Sequence, residues 1–447
     1  MSSLASAAAE LARRAVSTVA ADEAEAVVSA EDSALTRFAN NHIHQNVAET
    51  GVSVSIRAVV GTRQGVASTN RTDDEGLRAC AEAAARAATV APEDPEFRGL
   101  PAPMPVELRD RAFESTRRFD AEARARAAAA IIAQSTERGL TAAGTVSRTE
   151  YAVAVANSHG IDVSEAVTSV KSTVLAMGVD GGSGWASWLG GDADAFAPEA
   201  LGDQAATLAQ RSEGPGALDA GVYPVVLAPD AVSDLMDFLG YTSFGAKDVY
   251  EHSSFVADHQ GQQVFSELFS LTDDALAEET LGLTFDFEGM PKRRVPLVDK
   301  GVVLGPVTDS YWAARLGLPN TGHALPAPNP YGPLPLNLEV APGDATIDEM
   351  IKGLKRGLYV TRFHYMNVED PLKVTLTGMT RDGTFLIEDG RLTRPVKNVR
   401  FTQSLVEALG SVRAVGNARA LIGPDEGGAT LVPALLLERW EFTGQTR

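Results

Sequence analysis

Cysteine is nearly absent from this chain: Cys80 is the only one in 447 residues. That excludes an internal disulfide framework and a multi-cysteine metal site. Cys80 itself sits in an alanine-rich helical run from Leu77 to Val90 and reads as a small apolar packing residue. Basic charge is also scarce. There are 39 Lys and Arg against 59 Asp and Glu, a net charge of −20, and such a surface repels a phosphate backbone, so direct nucleic-acid binding is not expected. No run reaches the roughly 18 apolar residues of a membrane span. The stretch Met1 to Ala21 contains Glu10, Arg13 and Arg14 and reads as an amphipathic helix rather than a basic n-region followed by an apolar h-region. A cytoplasmic location is the default expectation. Two chemical motifs are missing as well. No Gly-x-Ser-x-Gly elbow supports a serine nucleophile. Asp180-Gly181-Gly182-Ser183-Gly184 is followed by neither Gly-Lys-Ser/Thr nor a calcium-ligand ladder, so it reads as a tight turn.

What is present is core-forming sequence. Hydrophobic residues make up 44% of the chain, enough for a large core in two or more domains. The expected class is α+β, with an N-terminal sheet-and-helix region of duplicated hairpin cassettes and a β-rich C-terminal domain. Boundaries are set at residues 1–105, 106–217 and 218–447. Val52, Val54, Ile56 and Ala58 alternate as a strand does, and Asp73 or Thr72 opens a helix running to Val90. Pro92, Pro95, Pro101, Pro103 and Pro105 mark a linker. A further helix spans Ala121 to Gly139, with the glycine as its C-cap. Ala39-Asn40-Asn41-His42 is matched by Ala156-Asn157-Ser158-His159, and each asparagine precedes a glycine at the same distance, Gly61 and Gly178. These are the marks of two hairpin cassettes, although asparagine is common in turns of any origin.

After the Gly/Pro-rich boundary at Ser212 to Gly221, short strands dominate. Val222 to Leu227 is a strand, and Pro229 to Leu239 is a helix opened by Pro229 or Asp230. Gly357 to Phe363, Lys373 to Thr377 and Thr384 to Ile387 read as separate strands, with hairpin turns at Asp382-Gly383 and Asp389-Gly390. Ile347 to Arg356 reads as a helix closed by Gly357.

Several segments in consistent order carry a family resemblance. They include Thr36 through Asn46, Phe285-Asp286-Phe287-Glu288-Gly289, Asn320-Thr321-Gly322-His323-Ala324, Gly357 through Thr361 and Val415-Gly416-Asn417. Together they resemble the TldD/PmbA family, described as modulators of DNA gyrase and as peptidases. In its metal-bearing member, TldD, a His-Glu-x-x-x-His motif and a cysteine near the C-terminus hold zinc. Aligned through Gly240, this chain has Met236 and Tyr241 at the histidine positions and Asp237 at the glutamate position. A thioether and a phenol do not replace imidazoles on zinc. The stretch Gly423-Pro424-Asp425-Glu426-Gly427-Gly428 offers only carboxylates in place of the cysteine. The resemblance is therefore to the PmbA (TldE) side of the family, with no cofactor expected in this chain and zinc expected only in a partner subunit. It departs from ordinary PmbA proteins at Arg362 through Pro371, where bulkier residues replace a glycine-rich stretch.

The resemblance implies a metal-free subunit of a metallopeptidase complex that grips extended or modified peptides beside a TldD-like metal-bearing partner. The competing reading is a non-catalytic, regulatory homodimer that binds peptides or proteins. Gly357 to Phe363 is the expected edge strand for backbone pairing with a peptide, with Gly357, Leu358, Tyr359, Val360, Thr361, His364 and Tyr365 as the peptide-binding candidates. Asp237, His323 and His364 are the catalytic candidates. Asp237 could inherit proton handling or be an ordinary helix aspartate. His323 could line the groove or fix a loop, and His364 could act as a base or be hydrogen-bonded only. His252, Asp258 and His259 form the only tight local histidine cluster, a weak third route to a metal site.

Overall fold

The computed structural model describes residues 2–423 and 428–445. The N-terminal half contains α1 (Ser3–Ser17), β1 (Glu23–Ala39), β2 (His42–Val60), β3 (Arg63–Thr69), α2 (Asp74–Val90), α3 (Glu114–Arg117), α4 (Ala121–Thr136), β4 (Thr141–Asn157), β5 (Asp162–Met177), β6 (Ser183–Gly190) and α5 (Pro198–Arg211). Its six strands form one antiparallel sheet in the order β3-β2-β1-β4-β5-β6. The order reads as two copies of one unit, a helix, three strands and a helix, joined through β1 and β4. Asn40 and Asn41 take the left-handed conformation at the β1–β2 turn, as a tight hairpin requires. Asn157 holds the β4–β5 turn, its side-chain oxygen accepting from the N–H groups of His159 and Ile161. Gly61 and Gly178 follow β2 and β5. The matched cassettes are thus equivalent hairpins. The loop around Gly181 is a tight turn, closed by Gly178 N–H donating to Gly182 C=O.

Alanine-rich helices let sheet and helix approach closely. Asp73 caps α2 through Gly76 N–H, and the buried face of α2 is Leu77, Cys80, Ala81, Ala84 and Ala88. At Gly65 on β3 an added Cβ would run into the α2 backbone at Ala84 and Ala88. Gly65→Ala is therefore expected to destabilise the fold by about 2–3 kcal/mol, as overpacking does; an unchanged melting temperature would contradict the close approach. The regular turns of α4 end at Thr136, and Gly139 closes the helix as expected: it takes φ +69°, its N–H donates to Thr136 C=O, and Leu140 N–H donates to Ser135 C=O.

The C-terminal half contains β7 (Gly221–Leu227), α6 (Pro229–Ser243), α7 (Ala246–Tyr250), α8 (Val256–His259), β8 (Leu271–Asp273), β9 (Val295–Asp299), β10 (Val302–Val303), α9 (Ser310–Leu316), β11 (Leu338–Val340) and α10 (Ile347–Lys352). It continues with β12 (Arg356–Asp370), β13 (Thr375–Glu388), β14 (Arg391–Pro395), β15 (Val399–Ser404), α11 (Leu405–Gly410), β16 (Val412–Ile422) and β17 (Thr430–Gln445). These strands build an eleven-stranded mixed sheet. Its core includes Leu235, Met236, Phe363, Phe401 and Trp440. α+β is the right class for this chain.

Three sequence expectations change here. Asp382-Gly383 is not a hairpin turn. It lies inside β13 as a bulge, with both residues at positive φ, and Thr361 Oγ1 lies against the carbonyls of Arg381, Asp382 and Gly383. The two strands expected on either side of it are therefore one, and the real turn is Asp389-Gly390. The helix expected over Ile347 to Arg356 stops at Lys352, with Gly353 as its cap, because β12 begins at Arg356. Finally, Gly357 to Val360 is not an edge. It is paired on one side with β13 and, over Leu358 to Val360, on the other with β7.

A candidate cleft beside helix α6

β7 runs parallel to β12 as far as Leu227, then the chain turns at Ala228 into α6. From Arg362 onward β12 keeps β13 on one side and has no described strand on the other. Arg362 and Phe363, where that free stretch begins, lie beside the first turns of α6. Asp230, Asp234 and Asp237 recur along that helix at the spacing of a single face. Asp230 accepts from Ser187 Oγ at 2.8 Å and from Trp185 Nε1 at 3.3 Å, both on β6. Asp234 accepts from the backbone of Phe363, so one outward N–H of β12 is already capped. Asp237 accepts from Thr430 Oγ1 at 2.7 Å, at the start of β17.

All three carboxyls are pushed above their ordinary range, mainly by burial. Asp234 is raised to about 7, by burial first and then by the charges of Asp237 and Asp230. Asp237 is the exposed member of the three. A carboxyl whose folded value is raised stabilises the fold below its unfolded value, near 4, and loses that contribution as pH rises toward 7. Asp234→Asn keeps an acceptor for Phe363 and carries no charge. We expect it to raise the melting temperature at pH 8 and leave it nearly unchanged at pH 4; equal effects at both would remove the charge argument.

The neighbouring side chains tie the two sheets together. Arg362 lies 4.0 Å from the centroid of the Trp185 ring and 3.6 Å from Asp382, which accepts from Ser183 Oγ at 2.8 Å. Burial first, then Arg381 and Arg362, push the His364 imidazole down. His364 and the exposed Tyr365 both lie on the free part of β12, and Tyr365 has φ +54° at a bulge.

The residues singled out from sequence divide as follows. Met236 is fully buried in the core, away from Asp237 and Tyr241, so the three aligned motif positions do not converge. Tyr241 is half-exposed and packs on Tyr331 with ring centroids 5.9 Å apart. His323 does not line the cleft. It is buried, with Nε2 2.8 Å from Asp273 Oδ1 and Nδ1 2.9 Å from Thr321 Oγ1. His252 and Asp258 are exposed and 3.9 Å apart, while His259 contacts Gln262. Residues 424–427, read as standing where the family has its cysteine, lie outside the described residues. Asp230 and Asp234 were missed from sequence, although their spacing to Asp237 is a legible helical face.

The donors α6 turns toward the cleft are carboxylates and a phenol, with the residue-236 thioether in the core, and this set does not suit zinc, which takes imidazole and thiolate. Among the described residues no group of three or more His, Cys, Asp or Glu is arranged to hold a metal ion. A separate cavity of about 520 Å³ lies beyond the Ala324 to Gly332 segment. Glu25, Arg57 and Glu288 line it as an ion-pair network, with Arg57 Nη2 2.8 Å from Glu25 and 3.4 Å from Glu288.

The C-terminal half of the chain is of a metallopeptidase-like class. The family model for the PmbA/TldA metallopeptidase C-terminal domain matches residues 220–444, and those for domain 1 and the central domain match 24–88 and 112–213. The chain is a member of the TldD/PmbA family. It is 28% identical over 209 residues to a Metalloprotease TldD homolog of Haemophilus influenzae, 46% of this chain and 43% of that one. It is 26% identical over 245 residues to Metalloprotease PmbA of Escherichia coli O157:H7, 54% of this chain and 51% of that one. These matches thus span about half the length of each curated relative. The fold is that of TldE from Thermococcus kodakarensis, with a TM-score of 0.87 at 19% identity, covering 97% of this chain and 99% of that one. A Thermotoga maritima protein described as a modulator of a DNA gyrase gives 0.83 at 18% identity, covering 94% and 96%.

Proposed function

We propose that this chain is a metal-free, TldE-like subunit that holds an extended peptide along the free edge of β12, while hydrolysis takes place on the zinc of a TldD-like partner in the cytoplasm. The observation that carries this reading is the β12 edge beside α6. An unpaired strand edge offers backbone donors and acceptors to any extended chain, and it begins beside the helix that bears the aligned metal motif. The gripping residues are then His364, Tyr365 and those after them, not Gly357 to Thr361. Asp237 has no polarised water to deprotonate and serves as a polar wall.

The test combines elemental analysis with a peptide-binding titration, on chain purified without chelator or metal-affinity resin. We expect well under one zinc per chain and no hydrolysis by the chain alone. A fluorescein-labelled, unstructured peptide should bind, and methylating its backbone nitrogens at alternate residues should weaken binding at least about tenfold, roughly the loss of one to two net hydrogen bonds. One tightly held zinc per chain would end the metal-free reading. Binding indifferent to N-methylation would end the strand-edge reading.

A further inference from the structure

The cavity of about 520 Å³ plays no part in the peptide reading. Glu25 on β1 and Arg57 on β2 line it from the N-terminal half, and Glu288, Asp309, Tyr311 and Trp312 line it from the C-terminal half. Its volume is that of a small-molecule pocket, and a seam between packed units is where such pockets commonly form.

Charge in this cavity is unbalanced. Glu25 is only 2% exposed, and its Oε2 accepts from Arg57 Nη2 at 2.8 Å. The same Nη2 lies 3.4 Å from Glu288 Oε1, while Glu288 Oε2 accepts from Ser310 N–H at 3.1 Å. Asp309 Oδ1 caps α9 through Trp312 N–H at 2.8 Å. Three carboxyls thus share one guanidinium, and Glu25 Oε1 accepts no hydrogen bond from the described residues. A fourth carboxyl, Asp286, is buried nearby on the N–H groups of Glu288, Met290 and Ala324. Burial first, then the Glu288 charge, raise both Asp309 and Asp286 to about 7. Burial also raises Glu25, against the pull of Arg57.

The other cations nearby are engaged elsewhere. Lys247 Nζ donates to Pro330 C=O and lies 4.0 Å from Glu251, and Arg98 Nη1 donates to Pro95 C=O. Arg315 is not part of the lining and stacks on Tyr250, 4.5 Å from the ring centroid. Beside the carboxyls the wall is aromatic, with Phe97 and Phe287 joining Tyr311 and Trp312.

We propose that this cavity binds a small organic cation, an amidine or amine on a flat apolar body. Its charge would rest on Glu25, Glu288 and Asp309, and its body on the Tyr311 and Trp312 rings. A neutral ligand would leave the excess negative charge buried and uncompensated, and an anion would add to it. A cation relieves that charge and gains attraction from the ring faces. A metal ion fits less well, because among the described residues no group of three or more His, Cys, Asp or Glu is arranged to hold one. A delocalised cation does not need such convergence. The site is independent of the peptide reading.

The experiment is calorimetric titration of the full chain at pH 8 with benzamidine, benzamide and benzoate. These probes have nearly one shape and carry positive, no and negative charge. Benzamidine is expected to bind with Kd below about 1 mM, at least about tenfold more tightly than benzamide, and benzoate is expected not to bind. Asp309 is charged above about pH 7 and neutral below it. Benzamidine should therefore bind about fivefold more weakly at pH 6 than at pH 8. Asp309→Asn keeps an acceptor for the α9 cap and loses the charge. It should melt no lower than wild type and weaken benzamidine at least about tenfold at pH 8. No binding of benzamidine overturns the proposal, and so does equal binding of benzamide or any binding of benzoate. Affinity untouched by Asp309→Asn overturns it as well, since the cation would then be held at another acidic face such as that of α6. None of these outcomes bears on whether a peptide binds at β12.

Discussion

His323→Leu is expected to cost about 3 kcal/mol of stability at pH 7.5, as leaving a buried carboxylate without its hydrogen-bond donor does. His323 and Asp273 have no exposed side-chain surface. Burial works against the Asp273 charge, but the His323 contact outweighs it and leaves the carboxyl below its ordinary value. Burial, with Lys292, pushes His323 down, so the neutral imidazole donates from Nε2 to the carboxylate. Asp273 Oδ2 accepts from Asn337 N–H at 2.8 Å, which ties β8 to the segment leading into β11. Leucine would leave that carboxylate buried without its charge-assisted bond.

The pH dependence of the pair follows from both shifts. Each group has a depressed folded value, so each contribution is present above the unfolded value and is lost on acidification. For His323 the loss begins below about pH 6.5, and for Asp273 below about pH 4. Thermal melts of wild type, His323→Leu, Asp273→Leu and the double variant would measure it. The double variant should cost less than the two single costs combined, since it leaves no orphaned charge. A single-variant cost under about 1 kcal/mol would mean the pair is not what holds this loop.

Trp440→Ala is expected to cost about 3–5 kcal/mol and to loosen the β12 edge as well. The Trp440 ring is stacked on Phe363, with centroids 5.2 Å apart and an interplanar angle of 13°, and meets Phe401 edge-on at 5.1 Å. Phe363 is the β12 residue whose N–H is held by Asp234, so the ring cluster positions that part of the strand from below. Trp440 Nε1 is buried without a hydrogen-bond partner. Trp440→Phe therefore removes a desolvated donor along with some ring area, and should cost less than about 1.5 kcal/mol. If the phenylalanine variant were as damaged as the alanine one, the ring stack would not be the source of the stability. Peptide affinity should fall in Trp440→Ala and survive in Trp440→Phe.

Local features of this fold were legible in the sequence. Asparagine turns, alternating strands and the Asp73 cap depend on residues a few positions apart, and the duplicated hairpins could be recognised from two such turns. Contacts between distant segments were not. Gly357 to Val360 looked like an edge because its second neighbour, β7, comes from more than a hundred residues earlier and returns in parallel. Asp382-Gly383 carries the signature of a tight turn, and the same left-handed freedom serves equally well in a bulge. Whether His323 lines a groove or fixes a loop stayed open in the sequence because its partner Asp273 lies fifty residues away. The acid face of α6 was within reach of sequence reasoning, since Asp230, Asp234 and Asp237 follow helical periodicity.

If the free edge of β12 holds peptides as proposed, it selects them by exposure. A strand edge binds whatever backbone is available to it, and in a folded protein almost every backbone group is already engaged. For a groove of this kind the scarce quantity is exposed chain, not a particular residue. Two proteins sharing a susceptible segment would be taken up in proportion to how often each releases it, a ratio that changes about tenfold for every 1.4 kcal/mol of local opening energy. Discrimination is thereby carried by the client's own stability.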